Sequence, residues 1–262
     1  MSEPNILVAT DARGVATAAL NRPAIHNAFD DALIADLTAI LRRLEADAAV
    51  RVVVLTGSGQ SFSAGGDLNW MRRMAGYSEA ENLADAMALA ELLRTLNELA
   101  KPTVARVNGA AFAGGIGLIA CCDIAIGAAE AVFSISEARL GLVPATISPY
   151  VVAAIGARAA RRYFLTAERF SAAEAQRIGL VHDVVPRAEL DAAVEKIVAA
   201  LLEAGAGAQA RSKRLIAEVQ DRPVTEALLA LTARAIAEAR ASAEGREGLA
   251  AFFDKRKPDW RR

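Results

Sequence analysis

The alternation of strand-like and helical segments over the first two thirds of the chain constrains the fold most. Four short apolar runs have the composition of strands: Val15–Leu20, Val50–Leu55, Thr103–Val107 and Val132–Ser134. Between them, Asp30–Asp47 and Asn82–Leu99 carry apolar residues at helical spacing, and Asp30 and Asp31 are placed to cap the first helix. Strands that alternate with helices indicate βαβ units. The sequence therefore predicts an α/β core.

The last third of the chain has a different pattern. Beyond Pro186 the strand signals stop, and four amphipathic helices are predicted in succession: Asp191–Glu203, Gln209–Gln220, Val224–Ala241 and Glu244–Phe253. No Ser- or Pro-rich linker separates this part from the core. We therefore assign residues 1–200 to the core and residues 201–262 to a helical region. Its alanine-rich helices fit packing against sister subunits and packing on their own core almost equally well.

The composition of the chain excludes several classes of protein. Its 262 residues include 30 Lys and Arg against 31 Asp and Glu, a balance that argues against nucleic acid as the main partner. There is no apolar run long enough to span a membrane, and the N-terminus lacks the pattern of a signal peptide. Cys121 and Cys122 are adjacent within an apolar stretch, so they are poorly placed for a disulfide or a zinc site. We expect a cytoplasmic protein with reduced thiols and no membrane contact.

Two glycine-rich turns, Ser63–Asp67 and Ala111–Gly117, each follow a strand-like run and precede a helical segment. The first N–H groups of a helix lack internal partners, and glycine leaves the backbone bare. The turns can therefore receive an oxygen that gains negative charge, and each donor would contribute on the order of 3 kcal/mol to the transition state. A single glycine pair is more often only a turn. A dinucleotide site is excluded, because Gly114–Gly117 lacks the G-x-G-x-x-G spacing.

Glu137 is the candidate acid or base. It lies about twenty residues after the second turn, among small and apolar neighbours in Phe133–Gly141 that would raise its pKa on burial. For an arbitrary glutamate, an ordinary surface or helix-capping carboxylate is the alternative. His26 and His182 form no pattern of a metal site or a catalytic triad, and no G-x-S-x-G motif precedes a helix. We therefore predict no metal site.

Together these motifs resemble the crotonase, or enoyl-CoA hydratase/isomerase, superfamily over nearly the whole chain. The matching segments are Leu20–Pro23 with Asn27 and Ala28, Phe62–Leu68, Asn108–Ala111 with Gly114 and Gly115, Cys122–Ile124, Phe133–Pro144 and Lys255–Trp260. The resemblance implies an α/β spiral of ββα units with a C-terminal helical region used for trimerisation. It also implies a homotrimer or a homohexamer built as a dimer of trimers.

The resemblance also implies the roles of particular residues. The oxyanion N–H groups of the family fall on Gly66 and Gly114, and Glu137 matches a catalytic acid. The backbone that holds coenzyme A corresponds to Ala24, Ile25 and His26, and to Ala64, Gly65, Gly66, Asp67 and Leu68. Phe252 and Lys255 resemble C-terminal residues that reach coenzyme A, sometimes across a subunit boundary. The coenzyme is part of the substrate, so no separate cofactor is expected.

The chain departs from the usual hydratase pattern at one position. Hydratases of the family usually carry two glutamates, and the first falls here on Gly117, which cannot transfer a proton. Water activation and proton return would then fall to Glu137 alone or to an unidentified helper. Members with one acid include isomerases that move one proton along the acyl chain.

A narrower resemblance concerns the segments Gly141–Val151 and Ala159–Phe170. These look like bacterial 3-methylglutaconyl-CoA and isohexenylglutaconyl-CoA hydratases, which serve leucine and acyclic terpene breakdown and also lack the first glutamate. Such substrates carry a distal carboxylate that needs a cation. Arg72, Arg73 and Arg139 are candidates, with simple surface solvation as the alternative for each.

The leading hypothesis is therefore an enoyl-CoA hydratase that acts on 3-methylglutaconyl-CoA or a related branched or dicarboxylic enoyl-CoA. Glu137 would activate water and supply the α-proton. Two alternatives stay open: a Δ3,Δ2-enoyl-CoA isomerase, and a non-catalytic acyl-CoA- or RNA-binding relative, the RNA version being disfavoured by the balanced charge. The sequence leaves open whether Trp70, Met71, Met74 and Tyr77 line a pocket or only pack.

Overall fold

A computed structural model of the chain describes residues 3–261, which form nine strands and ten α-helices. The strands are β1 (Ile6–Thr10), β2 (Val15–Leu20), β3 (Val52–Gly57), β4 (Thr103–Val107), β5 (Ala111–Phe112), β6 (Ile124–Ala128), β7 (Val132–Ser134), β8 (Arg169–Ser171) and β9 (Asp183–Val185). The helices are α1 (Asp31–Ala46), α2 (Leu68–Met74), α3 (Glu79–Glu98), α4 (Gly114–Cys121), α5 (Ser148–Thr166), α6 (Ala172–Arg177), α7 (Leu190–Glu203), α8 (Ala206–Val219), α9 (Glu226–Ala241) and α10 (Ala243–Phe253).

The larger sheet has six strands in the order β1-β2-β3-β4-β6-β9, parallel throughout except for the antiparallel β1–β2 pair. Every residue of β3 is buried, because both faces of the sheet are covered. Side chains alternate between faces along a strand. Val53 and Leu55 therefore join the main core beneath α1 and α3, whereas Val52 and Val54 pack in a second cluster with α7.

Helix α1 covers the main face of the sheet, as its apolar spacing predicts. Asp30 is its N-cap, and the carboxylate accepts a hydrogen bond from the Leu33 N–H at 3.0 Å. The buried face consists of Leu33, Ile34, Leu37, Leu41 and Leu44. Burial of one such side chain stabilises the fold by about 1.5–3 kcal/mol relative to exposure.

The smaller sheet, in the order β5-β7-β8, positions the candidate site. Strands β5 and β7 are parallel, with Phe112 opposite Ser134. The chain leaves β5 into helix α4 and leaves β7 towards Glu137. Because parallel strands end at the same edge of a sheet, the second glycine turn and Glu137 are brought to one edge. The Ala113 N–H donates to the Ser134 carbonyl at 2.9 Å and closes that edge.

Several elements lie where the sequence predicts them. Strands β2, β4 and β7 have the predicted bounds, and the four predicted C-terminal helices are confirmed as α7 to α10 with ends that differ by up to three residues. The strand predicted at Val50–Leu55 begins instead at Val52, where pairing with β2 starts. The helix predicted at Asn82–Leu99 begins at Glu79, because Ser78 and Glu81 form a capping box that the prediction missed.

Other elements were not predicted. Strands β5, β8 and β9 have two or three residues and β6 contains a glycine, so their local signals are weak, whereas β1 has a strand-like composition that the prediction missed. Helix α5 was also missed, and its apolar pattern is interrupted where Gly156 adopts φ 73° and ψ 155° within the helix. The helix prediction therefore failed where the tertiary structure accommodates a kink.

The C-terminal helices pack in two ways. Helix α7 lies on strands β3, β4 and β6, whereas α8, α9 and α10 pack on one another. The division that we placed at residue 200 thus falls inside α7. Within residues 3–261, none of the helices is long and apolar enough to cross a membrane.

Candidate active site

The backbone N–H of Gly66 is left free by the way the first turn pairs with Phe29. The two residues form a parallel bridge, in which the Phe29 N–H donates to the Gly65 carbonyl at 2.8 Å and the Phe29 carbonyl accepts from the Asp67 N–H at 2.9 Å. In such a bridge, the N–H and C=O groups of Gly66 point away from Phe29. The Gly66 N–H has no acceptor among residues 3–261. It is therefore available to a ligand.

Asp67 ends the first turn and begins helix α2. Its carboxylate accepts from the N–H groups of Asn69 at 2.8 Å and Trp70 at 3.1 Å, and it lies 3.4 Å from an Arg22 guanidinium nitrogen. Arg22 also pairs with Asp30 at 2.9 Å and so links the N-caps of α1 and α2. The Asp67 carboxylate is already bound by groups of the protein itself. A ligand that binds at this turn would therefore contact backbone atoms.

The second turn presents Gly114 as the first residue of helix α4. Its N–H has no acceptor in the described part of the chain, and the helix dipole places partial positive charge there. The preceding Ala113 has φ 48° and ψ −120°, a conformation that costs a non-glycine residue on the order of 1–3 kcal/mol. Strain of this kind marks a turn whose shape is imposed by its surroundings.

The two turns are joined directly, backbone to backbone. Ser63 forms a parallel bridge with Ala111, with the Ser63 N–H donating to the Ala110 carbonyl at 3.2 Å and the Phe112 N–H donating to the Ser63 carbonyl at 2.9 Å. A Cβ on Gly65 would lie 2.9 Å from the Phe112 carbonyl oxygen, so glycine permits the close approach. The two free N–H groups therefore belong to one rigid unit.

Glu137 begins a short 3₁₀-helix, Glu137–Leu140, just after β7. Its Oε2 atom is buried and has no hydrogen-bond partner within residues 3–261. Burial raises the pKa of the Glu137 carboxyl, and hydrogen bonds from the backbone of Glu137 and Ser136 oppose this only in part. A carboxyl group with a raised pKa and a free oxygen suits a residue that takes up and returns a proton.

An apolar side chain fills the space beside Gly117, the position at which the resemblance implies the first of two glutamates. A Cβ on Gly117 would overlap Ile147 Cγ2 and would lie 3.0 Å from Ile147 Cβ. Ile147 is almost completely buried. The structure therefore has no room for a glutamate at position 117, and Glu137 is the carboxyl group that remains.

The predicted strip Ala24–His26 lies beside the first turn. It is exposed and forms a short 3₁₀ turn that ends at His26, whose φ of 54° is left-handed. The Ala64 N–H donates to the His26 carbonyl at 2.9 Å, which joins the strip to the turn. Leu68, the last residue of the predicted CoA-binding backbone, is exposed at the start of α2. The strip and the turn therefore form one continuous edge of backbone, exposed at Ala24–His26 and Leu68 and buried at Gly65 and Asp67.

Two buried asparagines shape this edge; both lie in the segments that carry the family resemblance, but the sequence predicted no role for them. The Asn27 side-chain amide donates to the carbonyls of Ser58 at 2.9 Å and Ser61 at 2.8 Å. The Asn108 amide donates to Gly59 at 3.1 Å and to Ser61 at 3.2 Å. Polar residues next to strand ends are the only local signal for them. They satisfy the carbonyls of the intervening loop, which packing alone would leave unpaired.

Phe252 and Lys255 lie at the C-terminal end of the helical region. Phe252 is in α10, which packs on α8 and α9, and Lys255 follows it. Both side chains are exposed. Their contact with coenzyme A stays a prediction, which the resemblance allows to be made across a subunit boundary.

The three candidate arginines are exposed. Arg73 pairs with Asp31 at 2.7 Å, and Arg72 donates to the Asn69 side chain at 3.1 Å. Arg139, which follows Glu137 by two residues, has no ion-pair partner in the described structure. Of the three, Arg73 is thus the one whose charge is paired in the described residues, whereas Arg72 contacts a neutral amide and Arg139 has no ion-pair partner.

Of the aromatic and sulfur-containing residues after the first turn, Trp70 is the one that is fully packed. Trp70 is buried, and its ring lies 6.3 Å from that of Phe29. Met71, Met74 and Tyr77 are only partly buried. Trp70 is therefore a packing residue behind Gly66, whose added Cβ would lie 3.5 Å from its ring.

The histidines and cysteines have structural roles. His26 Nδ1 lies 3.0 Å from the Ser61 hydroxyl, and His182 Nδ1 accepts from the Ala125 N–H at 3.0 Å. Burial raises the pKa of the Cys121 thiol, and it raises that of Cys122 to about 12. Within residues 3–261, no group of three His, Cys, Asp or Glu residues is arranged to hold a metal ion.

These observations first define a class of enzyme. Two free backbone N–H groups lie on joined turns, and one carboxyl group of raised pKa lies at the same sheet edge, which is the arrangement that an oxyanion site with an acid–base residue requires. An enzyme of this class polarises a carbonyl group and moves a proton close to it.

Comparison with known proteins then identifies the family. The sequence model of the Enoyl-CoA hydratase/isomerase family matches residues 10–262. A crotonyl-CoA hydratase of Syntrophomonas wolfei is 31% identical over 99% of this chain and 99% of its own. The structure of an enoyl-CoA hydratase from Shewanella pealeana is 44% identical with a TM-score of 0.95, over 98% of this chain and 96% of that one. AtuE of Pseudomonas aeruginosa is 38% identical with a TM-score of 0.94, over 99% and 100%.

The chain therefore belongs to the enoyl-CoA hydratase/isomerase family. The predicted α/β fold of the crotonase type is confirmed, and so is the predicted class of enzyme, an enoyl-CoA hydratase. The acyl group that it acts on and the subunit assembly stay predictions.

Proposed function

We propose that this enzyme adds water to a 2-enoyl-CoA thioester, with 3-methylglutaconyl-CoA or a related branched or dicarboxylic enoyl-CoA as the substrate. The observation that carries the proposal is the Glu137 carboxyl group. It has a buried oxygen without a partner in the described residues, and it follows the strand that pairs with the second oxyanion turn. A general base for water needs a free oxygen at such a position.

The backbone donors act on the thioester carbonyl. The N–H groups of Gly66 and Gly114 donate to its oxygen, which gains negative charge as the enolate forms. Preorganised donors of this kind are worth about 10²–10³ in kcat each. Since they are backbone groups on joined turns, they need no reorganisation during the reaction.

Glu137 handles the proton. As a carboxylate it removes a proton from water while the hydroxide oxygen bonds to the β-carbon and the π electrons move onto the thioester oxygen. The neutral Glu137 then protonates the α-carbon as the enolate collapses. The proton taken from water is the proton returned, so the atoms balance with a single acid–base residue.

Arg139 is the residue that we propose for the distal carboxylate of the substrate. Its guanidinium follows Glu137 by two residues and lacks an ion-pair partner in residues 3–261, whereas Arg73 is already paired with Asp31. A guanidinium binds a carboxylate through two parallel hydrogen bonds. Such a substrate places the enzyme in leucine breakdown or in acyclic terpene breakdown.

A Δ3,Δ2-enoyl-CoA isomerase is the second candidate, and the filled space at Gly117 supports it. One carboxyl group is sufficient to remove a proton from C2 of a 3-enoyl-CoA and to return it at C4. The two reactions share the oxyanion donors and differ in whether water reaches Glu137.

Product analysis separates these functions. The purified enzyme is incubated with 3-methylglutaconyl-CoA, with crotonyl-CoA and with a 3-enoyl-CoA, and the products are separated by chromatography and mass spectrometry. We expect hydration of the first at the highest kcat/KM. Migration of the double bond in the 3-enoyl-CoA without hydration of the others would establish the isomerase, and inertness towards all three would contradict both.

We also propose that the C-terminal helices form a homotrimer, which can pair into a hexamer. Large apolar side chains are exposed there on and around α8, α9 and α10: Ile216, Val224, Leu229, Ile236, Leu249, Phe252 and Phe253. Exposed apolar surface of this kind is usual at subunit interfaces. In such an assembly, Phe252 and Lys255 would reach the CoA of a neighbouring subunit.

The assembly is tested by sedimentation velocity of the purified protein. We expect a trimer or hexamer for the wild type and dissociation for Ile236→Glu. Leu165→Glu is the matched control, since Leu165 is exposed at the end of α5, outside the helical region. A monomeric wild type would contradict the proposal. The buried thiols of Cys121 and Cys122 agree with our proposal of a cytoplasmic location.

A further inference from the structure

The two oxyanion donors lie on different turns, so something must fix their separation. Misplacement of a reacting group by about 1 Å can cost about 10²-fold in rate. The backbone bridge between Ser63 and Ala111 joins the turns on one side. The residues around Gly66 and Gly114 show a second connection, through Phe29.

The backbone of Phe29 fixes the first turn. Its N–H donates to the Gly65 carbonyl and its carbonyl accepts from the Asp67 N–H, so the hydrogen bonds lie on both sides of Gly66. These two bonds determine the orientation of the Gly66 peptide group. A shift of Phe29 would therefore turn the Gly66 N–H.

The ring of Phe29 fixes the second turn. A Cβ on Gly114 would overlap Phe29 Cζ and would lie 3.1 Å from both Cε1 and Cε2. The tip of the ring thus occupies the space next to the Gly114 Cα. Because Phe29 is buried, the ring cannot move away without disturbing the core.

A second aromatic ring supports this arrangement. The ring of Trp70 lies 6.3 Å from that of Phe29 at an angle of 54°. The Trp70 indole N–H donates to Asp85 on α3 at 3.1 Å, which fixes the indole. Trp70 therefore restricts the movement of the Phe29 ring, which contacts both turns.

We propose that Phe29 is a positioning residue that sets the two oxyanion N–H groups of Gly66 and Gly114 relative to each other, through its backbone at one turn and its ring at the other. It touches neither the substrate nor the reacting atoms in this role. The inference rests on the proposed function, because it assumes that both N–H groups bind one thioester oxygen.

A double-mutant cycle between Phe29 and Gly114 tests the inference. Gly114→Ala keeps the N–H donor but adds the methyl group that overlaps the ring, and we expect a loss in kcat of about 10²-fold. Phe29→Leu removes the ring tip, with an expected loss of about 10-fold in kcat and little change in KM. In the double variant the methyl group has room, so we expect kcat at least about 10-fold above that of Gly114→Ala alone. Additive losses would overturn the inference.

A matched control separates positioning from stability. Phe170→Leu makes the same substitution at a buried ring that packs on Phe133 and Tyr163 instead of on the turns. Thermal unfolding of both variants is compared with kcat. We expect similar losses of stability and a loss of kcat in Phe29→Leu alone. An equal loss of kcat in Phe170→Leu would assign the effect to general destabilisation and overturn the inference.

Isotope-edited infrared spectroscopy distinguishes this inference from the proposed function. The probe is butyryl-CoA labelled at the carbonyl carbon, a saturated thioester that cannot be hydrated. We expect binding to wild type to lower the C=O stretching frequency, and binding to Phe29→Leu to lower it less. That result supports the inference even if no enoyl-CoA is hydrated. Equal shifts in both proteins overturn the inference and leave hydration by wild type unaffected.

Discussion

Ile147 occupies the space that a side chain at Gly117 would need. A Cβ at position 117 would overlap Ile147 Cγ2, and Leu93 Cδ2 would lie 3.4 Å away. Gly117 lies one turn of helix beyond Gly114. By the family resemblance, position 117 is where hydratases usually carry their first glutamate. The lack of a carboxyl group at position 117 is therefore matched by the packing around that position.

Gly117→Ala tests the packing of this pair. The added methyl group should lower the free energy of unfolding by about 1–3 kcal/mol, although alanine favours helix. Combining it with Ile147→Leu, which conserves volume but lacks the overlapping Cγ2 methyl group, should recover part of this loss, measured by urea denaturation. Gly127→Ala is the control, because a Cβ there meets nothing closer than 3.8 Å. If Gly117→Ala is as stable as wild type, Ile147 does not fill the space beside position 117.

Glu137→Gln removes the acid–base group but keeps its shape. We expect a loss of kcat of about 10²–10⁴-fold, with the dissociation constant for the CoA ester nearly unchanged. Stopped-flow assays and calorimetric titration measure the two quantities. The matched control is Glu130→Gln, at an exposed position before β7, which should retain full activity. Retained hydration in Glu137→Gln would exclude the assigned role.

The pH dependence of kcat should reflect the raised pKa of Glu137. The first step requires the carboxylate, so kcat should rise with pH and level off above the pKa of this group. Burial, the largest cause, raises this pKa, so the inflection should lie above the ordinary value of 4.5 for a glutamate. A pH–rate profile of kcat measures it. An inflection at or below 4.5 would show that Glu137 is solvated in the complex.

The stability of the fold should depend on pH through the Glu137 carboxyl group, and the direction of this dependence follows from its raised pKa. The folded-state pKa of Glu137 is raised above its unfolded value, so its contribution to stability is full below the unfolded pKa and is lost as pH rises through the folded pKa. Glu137→Gln should therefore be more stable than wild type at neutral pH, and the difference should shrink in acid. Urea denaturation at several pH values measures this, with Glu130→Gln as the control. A constant difference would contradict the linkage.

The stereochemistry of hydration should reflect the single carboxyl group. Because Glu137 both activates water and protonates the α-carbon, the hydroxyl group and the proton should add to the same face of the double bond. Hydration in D₂O followed by NMR of the product should show one deuterium at the α-carbon, syn to the new hydroxyl. Anti addition would require a second proton donor on the opposite face.

The extent of sequence-based prediction differs between parts of this protein. The strands β2, β4 and β7 and the C-terminal helices lie where the sequence predicts them within a few residues. Strand β5 has only two residues, so no periodicity could reveal it. Its pairing with β7 nevertheless determines the position of Glu137 relative to the second turn.

The sequence by itself determined the α/β class and the two glycine turns, because glycine, helix-start and strand signals are local, and it predicted Glu137 as the remaining acid. Only the tertiary structure decided that Ile147 fills the space beside Gly117 and that Phe29 contacts both turns. The burial that raises the pKa of Glu137 was also decided there. These features depend on contacts between residues far apart along the chain, and such contacts are fixed by packing of the whole core.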